Sequence, residues 1–69
     1  MEINGVYRHY KGNLYRVLTV AVHSETLEPL VVYQDAEHPE KVWARPLSMW
    51  EETVSADGKK VKRFERVEV

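Results

Sequence analysis

With 69 residues, 43% hydrophobic and 30% charged, the chain has the make-up of one small globular domain rather than of a disordered, collagenous or membrane-spanning protein. It contains no cysteine, which removes disulfides, thiolate nucleophiles and every cysteine-bearing zinc or iron–sulfur site, and suits a reducing compartment. The net charge of −1 hides a segregation: three basic groups against one acid in residues 1–23, eight acids against two basic groups in 24–57, and five basic groups against two acids in 58–69. Two basic ends that paired would merge into a patch able to attract phosphate or carboxylate, although a charged turn or edge strand also serves simply to keep the chain soluble.

Residues Gly5–Tyr10 read as a first strand, and Lys11-Gly12-Asn13 supplies the glycine and asparagine of a tight reversal. The β-branched and aromatic run Leu14–His23 follows as a long second strand. Strict alternation sends Leu14, Arg16, Leu18, Val20 and Val22 to one face and Tyr15, Val17, Thr19, Ala21 and His23 to the other. Apolar residues on both faces predict a central, bent strand in a curled sheet. Ser24–Pro29 is a loop, Leu30–Gln34 a third strand, Asp35–Lys41 an acidic exposed connection, and Val42–Arg45 a further strand. Pro46 forces extended geometry on Arg45 and opens a single helical turn over Pro46–Met49. Asp57-Gly58 is the pair best suited to a two-residue hairpin turn, joining Trp50–Ala56 to Lys59–Val67. Val61 and Phe64, three apart, cannot share an alternating face, so a bulge or turn must interrupt the last segment. The whole reads as one all-β domain, residues 1–69, a small barrel of about five antiparallel strands with one short helical turn. Met1–Asn4 lacks a basic stretch leading into an apolar block, and apolar runs are no longer than Leu30–Tyr33, so the expectation is a cytoplasmic protein without a membrane span.

No phosphate-cradling glycine loop and no glycine-flanked serine elbow occurs. Ser24 and His23 are adjacent, and in an extended segment point to opposite faces, so they do not form a nucleophile–base pair. A metal would have to use His9, His23 and Glu25, with no supporting motif; no metal or cofactor is predicted, and a minimal hydrolase or metal-dependent enzyme built on those three residues is the alternative reading. The stronger expectation is a binding or adaptor surface. Arg8, His9, Lys11 and Arg16 interleave with Tyr7, Tyr10 and Tyr15, and neighbouring strands can bring Trp43 and Arg45 alongside, a combination suited to stacking and to bidentate contact with anions. Tyr7, Tyr15, Tyr33, Trp43 and Phe64 are expected mainly to build the core, because a short domain needs large side chains to bury enough area. That leaves Arg8, His9, Tyr10, His23, Glu25 and Arg45 as the candidate ligand face, for a peptide, a protein, a nucleic acid or an anionic small molecule. Met49 and Trp50, if exposed, would extend it or form a homodimer contact. The competing structural account pairs Arg45 with Glu25, beside His23, to hold the loop at residues 24–29.

The segments Gly5–Asn13 (with Tyr-Arg-His-Tyr-Lys-Gly), His23-Ser24-Glu25-Thr26, Pro29–Tyr33, Trp43, Arg45-Pro46-Leu47-Ser48-Met49, Gly58–Val61 and Arg63-Phe64 together resemble a family of short bacterial domains of unknown function. The resemblance spans nearly the whole chain and implies a barrel similar to the Src-homology-3-like (SH3-like) type; it implies no chemistry. The sequence departs from the family pattern over Gln34–Lys41, where relatives are more aromatic and glycine-containing, and at Ala44, where they carry valine.

Overall fold

The structure, a computed structural model, describes residues 1–68. Seven strands and one helical turn follow in the order β1 (Val6–His9), β2 (Leu14–Val22), β3 (Pro29–Asp35), β4 (Val42–Pro46), α1 (Leu47–Trp50), β5 (Thr53–Ala56), β6 (Lys59–Lys62) and β7 (Phe64–Val67). Five form one antiparallel sheet in the order β4-β3-β2-β1-β7, while β5 and β6 form a separate hairpin. The two basic ends of the chain do pair, through β1 and β7, with His9 opposite Phe64. Among the described residues, no helix is long and apolar enough to cross a membrane.

The predicted turns stand where their residues allow them. Asp57 and Gly58 both take positive φ, 52° and 76°, which the β5–β6 turn demands, and Gly12 takes 111° in the β1–β2 turn. The break foreseen between Val61 and Phe64 falls at Arg63, which ties three elements together. Its N–H donates to the Glu52 carbonyl (2.9 Å), its carbonyl accepts from the Tyr10 N–H (2.9 Å), and its Nε donates to the Met49 carbonyl (3.1 Å). An ion pair with Glu52 at 3.2 Å completes the clamp. The break divides the one long final segment into β6 and β7, which accounts for one of the two strands beyond the five or so expected.

Alternation along β2 fails at one place, and the failure shapes the molecule. Val17 pairs with Tyr33 but Thr19 pairs with Val32, so Leu18 is an extra residue that shifts the register. Since directly opposed residues share a face, Tyr15 and Val17 lie with buried Tyr33 and Val31, and beyond the bulge Val20 joins them while Thr19 turns away. The two uniform faces expected for β2 are therefore exchanged half-way, because pairing with β3 outweighs local alternation.

The bulge adds twist, and the sheet curls. Three strand spacings separate β3 from β7, about 14 Å in a flat sheet, yet the Tyr33 and Phe64 rings are 5.9 Å apart. Arg45 of outermost β4 lies 5.4 Å from the Phe64 ring of outermost β7. The edge strands approach through side chains without pairing, so the barrel-like sheet stays open. Tyr7, Val17, Val31, Tyr33, Trp50 and Phe64 form the core on its concave face. Trp50, carried in by α1, stacks on Phe64 at 3.6 Å and meets Tyr7 and Tyr33 edge-on, plugging one end of the concavity.

Candidate functional site

The other end of the concave face has no such plug. Trp43 and Arg45, two apart on β4, share a side of that strand opposite buried Tyr33 and Val31. Trp43 remains 42% exposed while touching Tyr15 edge-on (centroids 5.8 Å) and Tyr33 at 5.9 Å. Tyr15 leads to His9 (6.5 Å), and His9 to Tyr10 (4.6 Å), a residue that is 38% exposed. A row of rings thus runs from β4 across β2 to the β1–β2 turn, with Phe64 beneath His9 at 4.9 Å. Each edge-to-face pair contributes about 0.5–1.5 kcal/mol beyond area burial, which keeps these partly exposed rings ordered.

Two cations border the row. Arg45 donates from Nε to the Tyr33 hydroxyl (3.3 Å) and lies over the Phe64 ring, but has no carboxylate partner among the described residues. Lys11 sits 5.8 Å from the Tyr10 ring centroid. His9 is fixed by the turn itself: the Lys11 N–H donates to its Nδ1 (3.2 Å), so in the neutral ring the proton belongs on Nε2. Burial, reinforced by the positive charges of Arg45, Arg63 and Lys11, holds its pKa below the ordinary value of 6.5. The neutral ring therefore offers an Nε2–H donor beside an electropositive edge, an arrangement that accepts an anion readily and abstracts protons poorly.

Beyond Tyr10 the surface turns over the sheet edge into a groove of about 400 Å³ between the β1–β2 turn and the β5–β6 hairpin. Arg8, Lys59 and Lys62 line it together with Tyr10, and Asp57 and Glu65 stand among them. Arg8 pairs across strands with Glu65 at the backbone and points away from the concave face. Of the six residues singled out from the sequence, His9, Tyr10 and Arg45 border the ring row, and Arg8 joins at the groove.

His23 and Glu25 do not join them. Both lie past the far end of β2, nine residues beyond its start next to Arg8, a distance of about 30 Å along an extended strand. His23 is a turn cap: its Nδ1 accepts from the N–H groups of Glu25 (3.1 Å) and Thr26 (3.2 Å), and its backbone bonds to Glu28 and Leu27 close the loop. Glu25 is exposed, and the Arg45–Glu25 pair of the competing structural account is absent among the described residues because Arg45 reaches along the concave face instead. The same separation takes His9, His23 and Glu25 out of any shared metal or hydrolytic site, and no cluster of metal-binding side chains occurs among the described residues.

The two tryptophans take different places. Trp50 is buried, at 3% exposure, and extends no surface, whereas Met49 is exposed; Trp43, weighed both as a core residue and as a neighbour of the candidate face, is a surface ring. Tyr15 is half-buried, while Tyr7, Tyr33 and Phe64 are core residues as expected. The signal that could have separated the tryptophans is local: Trp43 lies two residues from Lys41 and Arg45 in an edge strand, while Trp50 ends the helical turn opened by Pro46.

Residues 5–66 match the family described as protein of unknown function (DUF1653). The chain belongs to that family. A crystal structure of a DUF1653 protein from Bordetella bronchiseptica is 40% identical and superposes with a TM-score of 0.83, over 96% of this chain and 87% of that one. No curated protein matches. Membership thus agrees with the fold derived from the residues and carries no activity with it.

Proposed function

We propose that this DUF1653 chain is a cytoplasmic, non-catalytic binding module whose ligand combines a flat group with an anionic one. The observation that carries this reading is the exposed Trp43 ring, held edge-on to Tyr15, with Arg45 two residues away and without a carboxylate partner among the described residues. An ordered aromatic ring supplies contact area at low entropic cost, and a guanidinium already held by Tyr33 and Phe64 keeps N–H groups for a carboxylate or phosphate. The absence of cysteine suits a reducing compartment. Nothing favours the hydrolase alternative, since His9 ends β1 beside the start of β2 while His23 follows the far end of β2.

Amide chemical-shift mapping tests this reading with three probes: an aromatic carboxylate, an acidic peptide and a short oligonucleotide. Binding is expected to move resonances of His9, Tyr10, Tyr15, Trp43 and Arg45, and Arg45→Ala is expected to abolish the response while the chain stays folded. Shifts confined to the loop at residues 24–29 or to the outer face, or silence with all three probes, would refute it.

A further inference from the structure

Resting on the binding-module reading and naming its ligand class, we infer that the face takes single-stranded nucleic acid, with bases on the ring row and phosphates on the cations beside it and past its Tyr10 end. The row offers two exposed rings, Trp43 and Tyr10, linked through Tyr15 and His9 by steps of 5.8, 6.5 and 4.6 Å. Because two rings of the row are exposed, more than one base has a ring to stack on. Every base has a π-face, so such a row binds without needing a sequence, while phosphates supply a charge for each residue of the strand.

The charges lie where the backbone of such a strand would run. The Arg45 guanidinium lies over Phe64, alongside the row and close enough to His9 to depress its pKa; past Tyr10 the surface continues into the groove with Arg8, Lys59 and Lys62. None of these four has a carboxylate side-chain partner within ion-pair distance among the described residues, unlike Arg63 and Arg66, which are occupied by Glu52, Glu2 and Glu68. Asp57 and Glu65 share the groove and moderate its potential, so binding is expected at low salt and steeply salt-dependent.

Two further features select the strand state and the ligand class. Trp43 and Tyr15 lie on the concave side of the sheet, and bases paired inside a duplex cannot present their faces to rings set there. An acidic peptide would satisfy the cations but leave the flat rings without flat partners. The β5–β6 hairpin forms one wall of the groove and is tied to the sheet at its base by Arg63, leaving Lys59 beside the turn at its tip.

The test is fluorescence anisotropy with labelled oligothymidylate and oligouridylate of about ten nucleotides, a length within the footprint of a small ring-and-cation surface. A hairpin duplex and an acidic peptide of equal charge serve as competitors. Expected results are preference for the single strands over the duplex, quenching of Trp43 emission measured in the Trp50→Phe background, and log K falling against log salt with a slope of about −2 to −3. Trp43→Leu, which keeps apolar cover over Tyr33, is expected to weaken oligonucleotide binding about tenfold or more. Lys59→Gln with Lys62→Gln is expected to flatten the salt slope. Equal binding of duplex and single strand, or loss with the lysine variants but none with Trp43→Leu, would reduce the interaction to adsorption of any polyanion and overturn the inference. A peptide that quenches Trp43 when oligonucleotides do not would overturn the ligand class and leave the binding face standing; silence towards every probe would sink both.

Discussion

Truncating the two tryptophans to alanine separates core from site, and the expected difference follows from their burial. Trp50 is 3% exposed and stacked flat on Phe64, so its removal forfeits nearly the whole transfer free energy of a large aromatic ring, about 4–6 kcal/mol as an upper bound. Truncations of this kind cost about 3–5 kcal/mol. A domain of 69 residues has a total stability of roughly 3–10 kcal/mol, so Trp50→Ala should leave the chain largely unfolded or with little margin. Trp43 keeps 42% of its surface in water and meets Tyr15 edge-on and Tyr33 at a tilt, so Trp43→Ala should cost about 2 kcal/mol and leave a folded chain. Urea titration followed by far-ultraviolet circular dichroism reads both. Because the chain has only two tryptophans, Trp43→Phe and Trp50→Phe each report one indole, with blue emission expected from Trp50 and red from Trp43. Equal losses for the two alanine variants, or equally blue emission, would make Trp43 a core residue and remove the ring on which the binding face depends.

Stability should also depend on pH through His9. Its pKa in the folded chain lies below 6.5, chiefly through burial and then through Arg45, Arg63 and Lys11, so the unfolded chain takes up a proton first as the pH falls. Stability is then full above about pH 6.5 and declines between that value and the lowered folded pKa; thermal melts should show this, His9→Gln should flatten it, and an unchanged profile in the variant would refute it. A bound anion should raise the His9 pKa, seen as an upward move of its imidazole titration by NMR. His23→Ala should cost about 1 kcal/mol by depriving two loop N–H groups of their acceptor while leaving ligand affinity unchanged; any loss of affinity would place His23 in the site after all. Leu27 holds a left-handed φ of 64° with its side chain 72% exposed, so Leu27→Asn should stabilise the chain by about 0.5–1 kcal/mol, and a lower urea midpoint would show that the leucine packs in solution.

What was legible in the residues was short-range. Asp57-Gly58, Gly12 and the break before Phe64 each follow from the φ values and alternation of a few neighbouring residues, and each stands as expected. The Leu18 bulge was not legible, because it comes from the register that β3 imposes on β2 and not from β2 itself. The candidate site divides along the same line. His9 and Tyr10 stand side by side in one turn and Arg45 reaches them only because the sheet curls, whereas His23-Ser24-Glu25-Thr26 acts as a self-contained cap. A strand's length of separation cannot be read from four polar residues that look alike in type. The different places of Trp43 and Trp50 have a similar origin: which of them enters the core depends on where a single helical turn drops its last residue over a concavity assembled from distant strands.

That single turn also explains why a ring row is left open. One turn carries one large side chain inward, and Trp50 covers the end of the concave face nearest Tyr7 and Phe64. With no second helix in the described chain, the end lined by Tyr15, Trp43 and Arg45 has no cover. Incomplete cover alone is a consequence of small size, and exposed rings are common on small domains. The charges add a different kind of observation. If the open end were only surplus core, the economical neighbour for Arg45 would be one of the chain's many acids, and carboxylates do hold Arg63 and Arg66 elsewhere in the fold. Arg45 instead bonds a tyrosine hydroxyl and faces a phenyl ring, contacts that position a guanidinium without neutralising it. A charge held in place and left uncompensated beside ordered rings is poised for an anion from outside the chain, and that distinguishes the open end of this sheet from a core that ran out of residues.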